Sequence, residues 1–251
     1  MVKIVADQEN RKEDVKRIID AFDVQGQTFW HKRNIIKVFE VDGGAWNVKS
    51  FQVPHLINRI AYRYFRKSKA RRSYEHAKTL LGKGMLTPKP VGYAEFFDWI
   101  GLGRSFYVSE NLKYDFTFNA LYDKNFKDRE NILNQFTEFT FQLHEKGIHH
   151  FDHSRGNTLI LKRPEGNYDF YLIDLNRMTF ETMDYDKRIK NFDRLGLTPD
   201  MIAIISRKYA ELIQADPDLV NRQMTEACER FDSRRARKKK WKRRFGSELS
   251  S

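Results

Sequence analysis

A chain of 251 residues with 40% hydrophobic and 14% aromatic residues holds enough apolar material for one substantial domain or two closely joined lobes, which excludes disorder throughout. The single cysteine, Cys228, excludes an internal disulfide framework and a cysteine-rich metal cluster, and favours a reducing compartment such as the cytoplasm. The net charge of +12 is concentrated in residues 234–244 (RRARKKKWKRR), with nine basic residues, and 59–72, with seven, and neither stretch holds an acid; patches of this kind meet phosphate or an anionic membrane.

In chain order, residues 9–22 place Val15, Ile18, Ile19 and Phe22 on one stripe and predict an amphipathic helix. Residues 34–41 and 45–53 read as antiparallel strands around the turn Asp42-Gly43-Gly44, where glycine tolerates positive φ. The basic stretch 55–72 and the following 73–81 read as helical, and Thr87-Pro88-Lys89-Pro90 forces an extended connection. Strands are expected over 91–97 and 105–112, a long helix over 128–146 closed by Gly147, and strands over 158–161 and 169–173 around a Pro-Glu-Gly-Asn turn. The rest reads as helices over 186–195, 199–213 and from Pro217 into the basic tail. No run approaches 18 consecutive apolar residues, and the polar start around 7–16 is unlike a signal core, so neither a membrane span nor an export signal is expected.

The loop between the long helix and the next strand reads His150-Phe151-Asp152-His153-Ser154-Arg155-Gly156-Asn157. It has the kinase catalytic-loop spacing, His-x-Asp followed five residues later by Asn. An Asp at that place can orient a substrate hydroxyl and accept its proton, and the Asn carbonyl can reach a magnesium ion on the phosphates. The alternative is a polar loop whose Asp and Asn only cap turns. Against it stands Tyr171-Leu172-Ile173-Asp174, an apolar strand delivering a hard oxygen donor for magnesium. Upstream, strand alternation in Trp46-Asn47-Val48-Lys49-Ser50-Phe51 places Lys49 on a polar face, able to reach the α- and β-phosphates, with Glu75 chosen as its acidic partner. Their plain alternatives are a snorkelling surface lysine and an i, i+4 pair between Arg71 and Glu75. Ser109-Glu110-Asn111-Leu112 has the look of a hinge whose backbone bonds adenine, or of an ordinary strand end. His144, His149, His150 and His153 invite a metal reading, but their spacing fits no common zinc signature, and His150 is expected to fix the loop.

These residues resemble the bacterial lipopolysaccharide kinase family, which phosphorylates 3-deoxy-manno-octulosonic acid (Kdo) or heptose in the inner core of the glycolipid. The likeness runs from about residue 45 to 195 and rests on Lys49, the segment 62–81 ahead of and around Glu75, Thr87-Pro88-Lys89-Pro90-Val91, the loop 150–157 and Ile173-Asp174. It implies an α+β, two-lobed protein-kinase-like fold: an N-terminal lobe over 1–111, a helical C-terminal lobe over 112–232 and a basic tail over 233–251. It also implies ATP and Mg2+ as cofactors, with Lys49 and Glu75 orienting the phosphates, Glu110 at the nucleotide, Asp152 as base, and Asn157 and Asp174 on the metal. The sequence departs from the protein-kinase pattern in two places. No Gly-x-Gly-x-x-Gly loop precedes Lys49, which leaves the phosphate cover to the turn around 30–34, and Asp174 is followed by Leu-Asn rather than Phe-Gly.

The expected partners are the lipopolysaccharide core and, through the tail with Trp241 and Phe245, the anionic inner face of the plasma membrane, with no nucleic acid. A peripheral cytoplasmic enzyme follows, with Kdo as the acceptor. The rival readings are a protein Ser/Thr or other small-alcohol kinase of the same fold, and a non-enzymatic basic module for membrane or nucleic acid.

Overall fold

The computed structural model describes residues 1–31 and 34–245, the side chains of 31 and 242–245 aside. Part of the expected phosphate-cover turn, Lys32 and Arg33, lies outside the described residues. The chain mixes helices with antiparallel sheets and divides into two compact units: Met1–Lys113 with Tyr171–Asn176, and Tyr114–Phe170 with the described chain from Arg177 on.

The first unit is built on one six-stranded sheet. Its strands are β1 (Val2–Ala6), β2 (Gln27–His31), β3 (Ile35–Val41), β4 (Gly44–Phe51), β5 (Pro90–Phe97) and β6 (Leu102–Glu110), in the order β1-β5-β6-β4-β3-β2. Every neighbouring pair is antiparallel. Three helices accompany it: α1 (Lys12–Asp20), α2 (Leu56–Tyr64) and α3 (Lys69–Gly82). The predicted stripe of α1, Val15, Ile18 and Ile19 with Phe22 beyond its end, is buried with Trp46, Val48, Val91, Phe106 and Val108 on one face of the sheet. The opposite face buries Phe51 and Tyr93 with Ala70 and Tyr74 of α3. Because side chains alternate along a strand, Trp46 and Val48 turn to the α1 side while Lys49 and Phe51 turn to the α3 side. The sequence expectation of an uninterrupted helical stretch across 55–72 fails at Ser68, whose hydroxyl accepts the Arg71 N–H at 3.0 Å and starts α3 as an N-cap.

The second unit carries α4 (Arg129–Glu145), α5 (Tyr185–Lys190), α6 (Pro199–Ile213) and α7 (Pro217–Phe245). Its short strands are β7 (Phe116–Thr117), β8 (Ile148–His150), β9 (Thr158–Lys162), β11 (Met178–Phe180) and β10 (Tyr168–Leu172), the last two residues of which belong to the first unit. β10, β9 and β7 lie side by side in that order, and β11 pairs with β8. A core of Leu121, Ile132, Phe136, Ile189, Phe192, Met201, Ile205, Tyr209 and Met224 joins all four helices. α7 runs without a break through position 233, so the basic stretch continues the same helix that buries Val220, Met224, Ala227 and Cys228.

Candidate active site

Two clusters of predicted residues form, one in each unit. In the first, β4 holds Lys49 with its ammonium 5.3 Å from the Phe51 ring centre and 2.7 Å from Asp174 Oδ1. Asp174 follows β10, whose last residue is tied to the extended segment before β5: Leu172 N–H donates to Leu86 O at 3.0 Å and Thr87 Oγ1 to Leu172 O at 2.8 Å. The Asp174 backbone is left-handed, with φ of 59°. Asp is one of the few residues that adopts this conformation at low cost, because its short side chain bonds locally. Here the local partner is Asn176, whose Nδ2 donates to Asp174 Oδ1 at 2.6 Å. His76 of α3 holds the same segment from another side, its Nδ1 donating to Leu175 O at 2.7 Å.

Lys49 thus pairs with Asp174 and not with Glu75, the partner chosen from sequence. Glu75 Oε1 accepts from Arg71 Nε at 2.8 Å, one helical turn away, and its Oε2 from Lys67 Nζ at 2.8 Å. Burial pushes its carboxyl up, but these two cations together hold it below the ordinary carboxylate range. Glu110 ends β6 with its carboxylate 3.9 Å from Arg11. Its own N–H donates to Lys89 O, and that of Asn111 to Ala45 O. Both of these hinge N–H groups are spent within the sheet, so an adenine would have to use another group of this segment.

In the second unit, α4 is followed by Gly147, which has φ of +65° and where an added Cβ would lie 2.8 Å from Glu181 O. β8 then pairs with β11, His150 opposite Met178, and Phe151 N–H donates to Arg177 O at 2.9 Å. Asp152 comes next. Its backbone N–H donates to His150 Nδ1 at 3.0 Å, so that ring fixes the loop through an unprotonated Nδ1. Asn157 closes the loop by donating Nδ2 to Asp152 O at 2.8 Å, which leaves its Oδ1 as the atom that could reach a cation. The Asp152 carboxylate lies between two guanidinium groups of its own unit, Arg177 at 3.4 Å from Oδ2 and Arg194 at 3.4 Å from Oδ1.

Beneath the loop runs a buried chain of polar groups. Tyr209 O–H donates to His144 Nδ1 at 2.7 Å, His144 Nε2–H donates to Asn191 Oδ1 at 3.2 Å, and Asn191 Nδ2 donates to His150 O at 2.9 Å. Burial pushes His144 down to about 3, so the ring is neutral at pH 7 and this tautomer is the one that satisfies every partner. His153 is fully buried against the Phe136 ring and its pKa is likewise driven well below the usual value, chiefly by burial. His149 lies beside Glu181, its Nδ1 3.6 Å from Oε1, so the four histidines have different partners. Among the described residues, no group of three or more His, Cys, Asp or Glu side chains could hold a metal by itself. The Asp174 carboxylate and the Asn157 amide oxygen are each of the hard oxygen type that magnesium takes, its shell being completed by phosphate oxygens and water.

Residues 28–215 match the lipopolysaccharide kinase (Kdo/WaaP) family, well over half of the chain. The chain belongs to this family. It is a phosphotransferase with a sugar hydroxyl as acceptor. No curated protein sequence matches it. Among solved structures, the lipopolysaccharide kinase is similar in fold to the protein described as WaaP in complex with acyl carrier protein, with a TM-score of 0.61 and 18% identity over 91% of this chain and 99% of that one.

Arg177, Arg194, Asn191, His76 and Asn176 were not singled out from sequence; each lies in an ordinary helix or turn and becomes interpretable only through its partner. Asn191 gives a direct test. Replacing it by Ala leaves the His144 N–H unpaired in the core and removes one donor from the His150 carbonyl, which keeps the His153 N–H at 3.1 Å, so urea unfolding at pH 7 should show a loss of about 1–3 kcal/mol.

Proposed function

We propose that this kinase transfers the γ-phosphoryl group of ATP to a hydroxyl of Kdo in the lipopolysaccharide inner core, using magnesium, and that its two units are the lobes of a protein-kinase-like fold. The observation that carries the reading is the 2.7 Å pair of Lys49 with Asp174, a carboxylate fixed in a left-handed turn at the end of an apolar strand. A lysine and a hard oxygen donor in one place suit nucleotide phosphates and their cation. Bound magnesium would neutralise charge on the phosphates. Lys49 takes phosphate oxygens, Asp174 and the Asn157 Oδ1 supply oxygen ligands, and Glu75 and the Glu110 segment act from further out on the nucleotide side. Asp152 orients the acceptor hydroxyl and takes its proton as the new O–P bond forms and the bond from the γ-phosphorus to the departing ADP oxygen breaks.

Kdo is favoured over heptose by Arg177 and Arg194. Two guanidinium groups beside the base are suited to a carboxylate on the acceptor, and a Kdo residue carries one. No helix among the described residues is long and apolar enough to cross a membrane. The basic end of α7 is read as the contact with the anionic inner face, where each Lys or Arg near the surface contributes about 1 kcal/mol.

The test is ADP release and phosphate transfer with Kdo-lipid A, heptose-bearing core and a generic protein as acceptors. Transfer to Kdo-lipid A is expected, with Arg177→Gln and Arg194→Gln each raising the acceptor KM about tenfold or more while leaving that for ATP unchanged. Phosphate appearing only on heptose would remove the Kdo assignment, and phosphate only on protein would remove the sugar acceptor.

A further inference from the structure

α2 is built the wrong way round for a helix of a soluble domain. Its sequence, LINRIAYRY, sets Ile57, Ile60 and Tyr64 on one stripe and Arg59 and Arg63 on another. In an ordinary amphipathic helix the apolar stripe faces the core. Here the arginines do the anchoring. Arg59 Nε donates to Leu102 O at 3.1 Å and its guanidinium pairs with the Asp98 carboxylate, while Arg63 Nη1 donates to Asp98 O at 2.6 Å. Gly101 permits the close approach, since a Cβ there would lie 2.5 Å from Arg59 O. The result is that the Arg59 side chain is only 16% exposed while Ile57 is 82% exposed, and no residue of α2 is buried.

The exposed apolar groups continue past the helix. Leu56 and Phe65 flank the stripe, Phe65 at 83% exposure, and Trp99, next to the Asp98 that anchors both arginines, is 90% exposed. Around them stand the cations Arg63, Arg66 and Lys67, all on the surface. Arg63 lies 5.5 Å from the Tyr64 ring centre and Arg66 5.8 Å from that of Tyr62.

We propose that α2 and the Asp98–Gly101 turn form a docking surface for an anionic lipid bilayer, with Ile57, Ile60, Phe65 and Trp99 entering the headgroup region and Arg63, Arg66 and Lys67 meeting lipid phosphates. Two features select a bilayer over a protein partner. Side chains exposed to this degree have no walls beside them and line no groove, whereas a fluid interface accepts protruding residues without a complementary hole. Exposed aliphatic and aromatic side chains interleaved with arginines are also the side-chain distribution of interfacial helices. The surface belongs to the first unit and is separate in sequence from the basic end of α7, and the proposal does not depend on which sugar is phosphorylated.

The experiment measures co-sedimentation of the full chain with vesicles of phosphatidylcholine plus phosphatidylglycerol, at low and high salt. Screening at high salt suppresses a purely electrostatic contact such as that of the tail. The parent should keep vesicle binding at high salt, whereas Ile57→Asp with Phe65→Asp should weaken binding at least about tenfold and abolish the salt-resistant part. Trp99→Asp alone should act in the same direction. A triple reversal in the tail (Lys238→Glu, Lys239→Glu, Lys240→Glu) should reduce low-salt binding only. Thermal unfolding and ATP-analogue affinity, both expected unchanged, show that the variants are folded. The proposal fails if the Ile57 and Phe65 variant binds vesicles within about twofold of the parent. It fails equally if those substitutions leave vesicle binding intact while abolishing binding of an acidic protein such as acyl carrier protein.

Discussion

Asp152→Asn is expected to lower turnover by roughly 10²-fold or more while leaving affinity for magnesium-ATP unchanged. The substitution keeps the size of the side chain and the backbone N–H that donates to His150, so the loop keeps its shape. What it removes is the carboxylate flanked by Arg177 and Arg194, the group proposed to accept the hydroxyl proton. Single-turnover transfer to Kdo-lipid A, run beside calorimetric titration of a non-hydrolysable ATP analogue, separates the two effects. A rate within about threefold of the parent would remove Asp152 from the chemistry.

Asp174→Asn is expected to act on the other quantity. Asn is as tolerant of the left-handed backbone at this position as Asp, so the loss measured is that of the charge and not of the turn. Affinity for the ATP analogue should fall about tenfold or more in the presence of magnesium and change little without it, because a charged donor has been taken from a divalent cation. Lys49→Met should weaken binding with and without magnesium, since it removes a phosphate contact and leaves Asp174 without its 2.7 Å partner. Equal losses in both conditions for Asp174→Asn would mean that the carboxylate only positions Lys49.

Much of the fold could be read from periodicity. The stripes of α1 and α4, the hairpin of β3 and β4 and the Thr198-Pro199 start of α6 announce themselves over short windows. The strands that escaped, β1, β2, β7, β8 and β11, have at most five residues and are made by their partners: β8 exists because β11 lies against it. In the loop after α4, spacing alone singled out Asp152 and Asn157, and the structure joins the two through the bond from Asn157 Nδ2 to the Asp152 carbonyl. The acidic partner of Lys49 was harder. Glu75 was the local choice by analogy, but a side chain 125 residues away in sequence closes the pair, and Glu75 is taken up by its neighbours Lys67 and Arg71. The buried chain from Tyr209 to His150 was illegible for the same reason, since each link joins residues more than 40 positions apart.

The last helix changes character along its length. From Pro217 to Cys228 it is held by a buried apolar face, and from Asp232 to Trp241 every residue is on the surface. Beyond that face it carries nine positive charges in eleven residues with no acid among them, and like charges one turn apart oppose helix formation. The helical state of this end is therefore conditional on its surroundings. Counter-ions, or a sheet of phosphates, relieve the repulsion and lengthen the helix; dilute buffer does the reverse. Measured helicity of this protein should accordingly vary with ionic strength, and a length of rod appears where a charged surface is met.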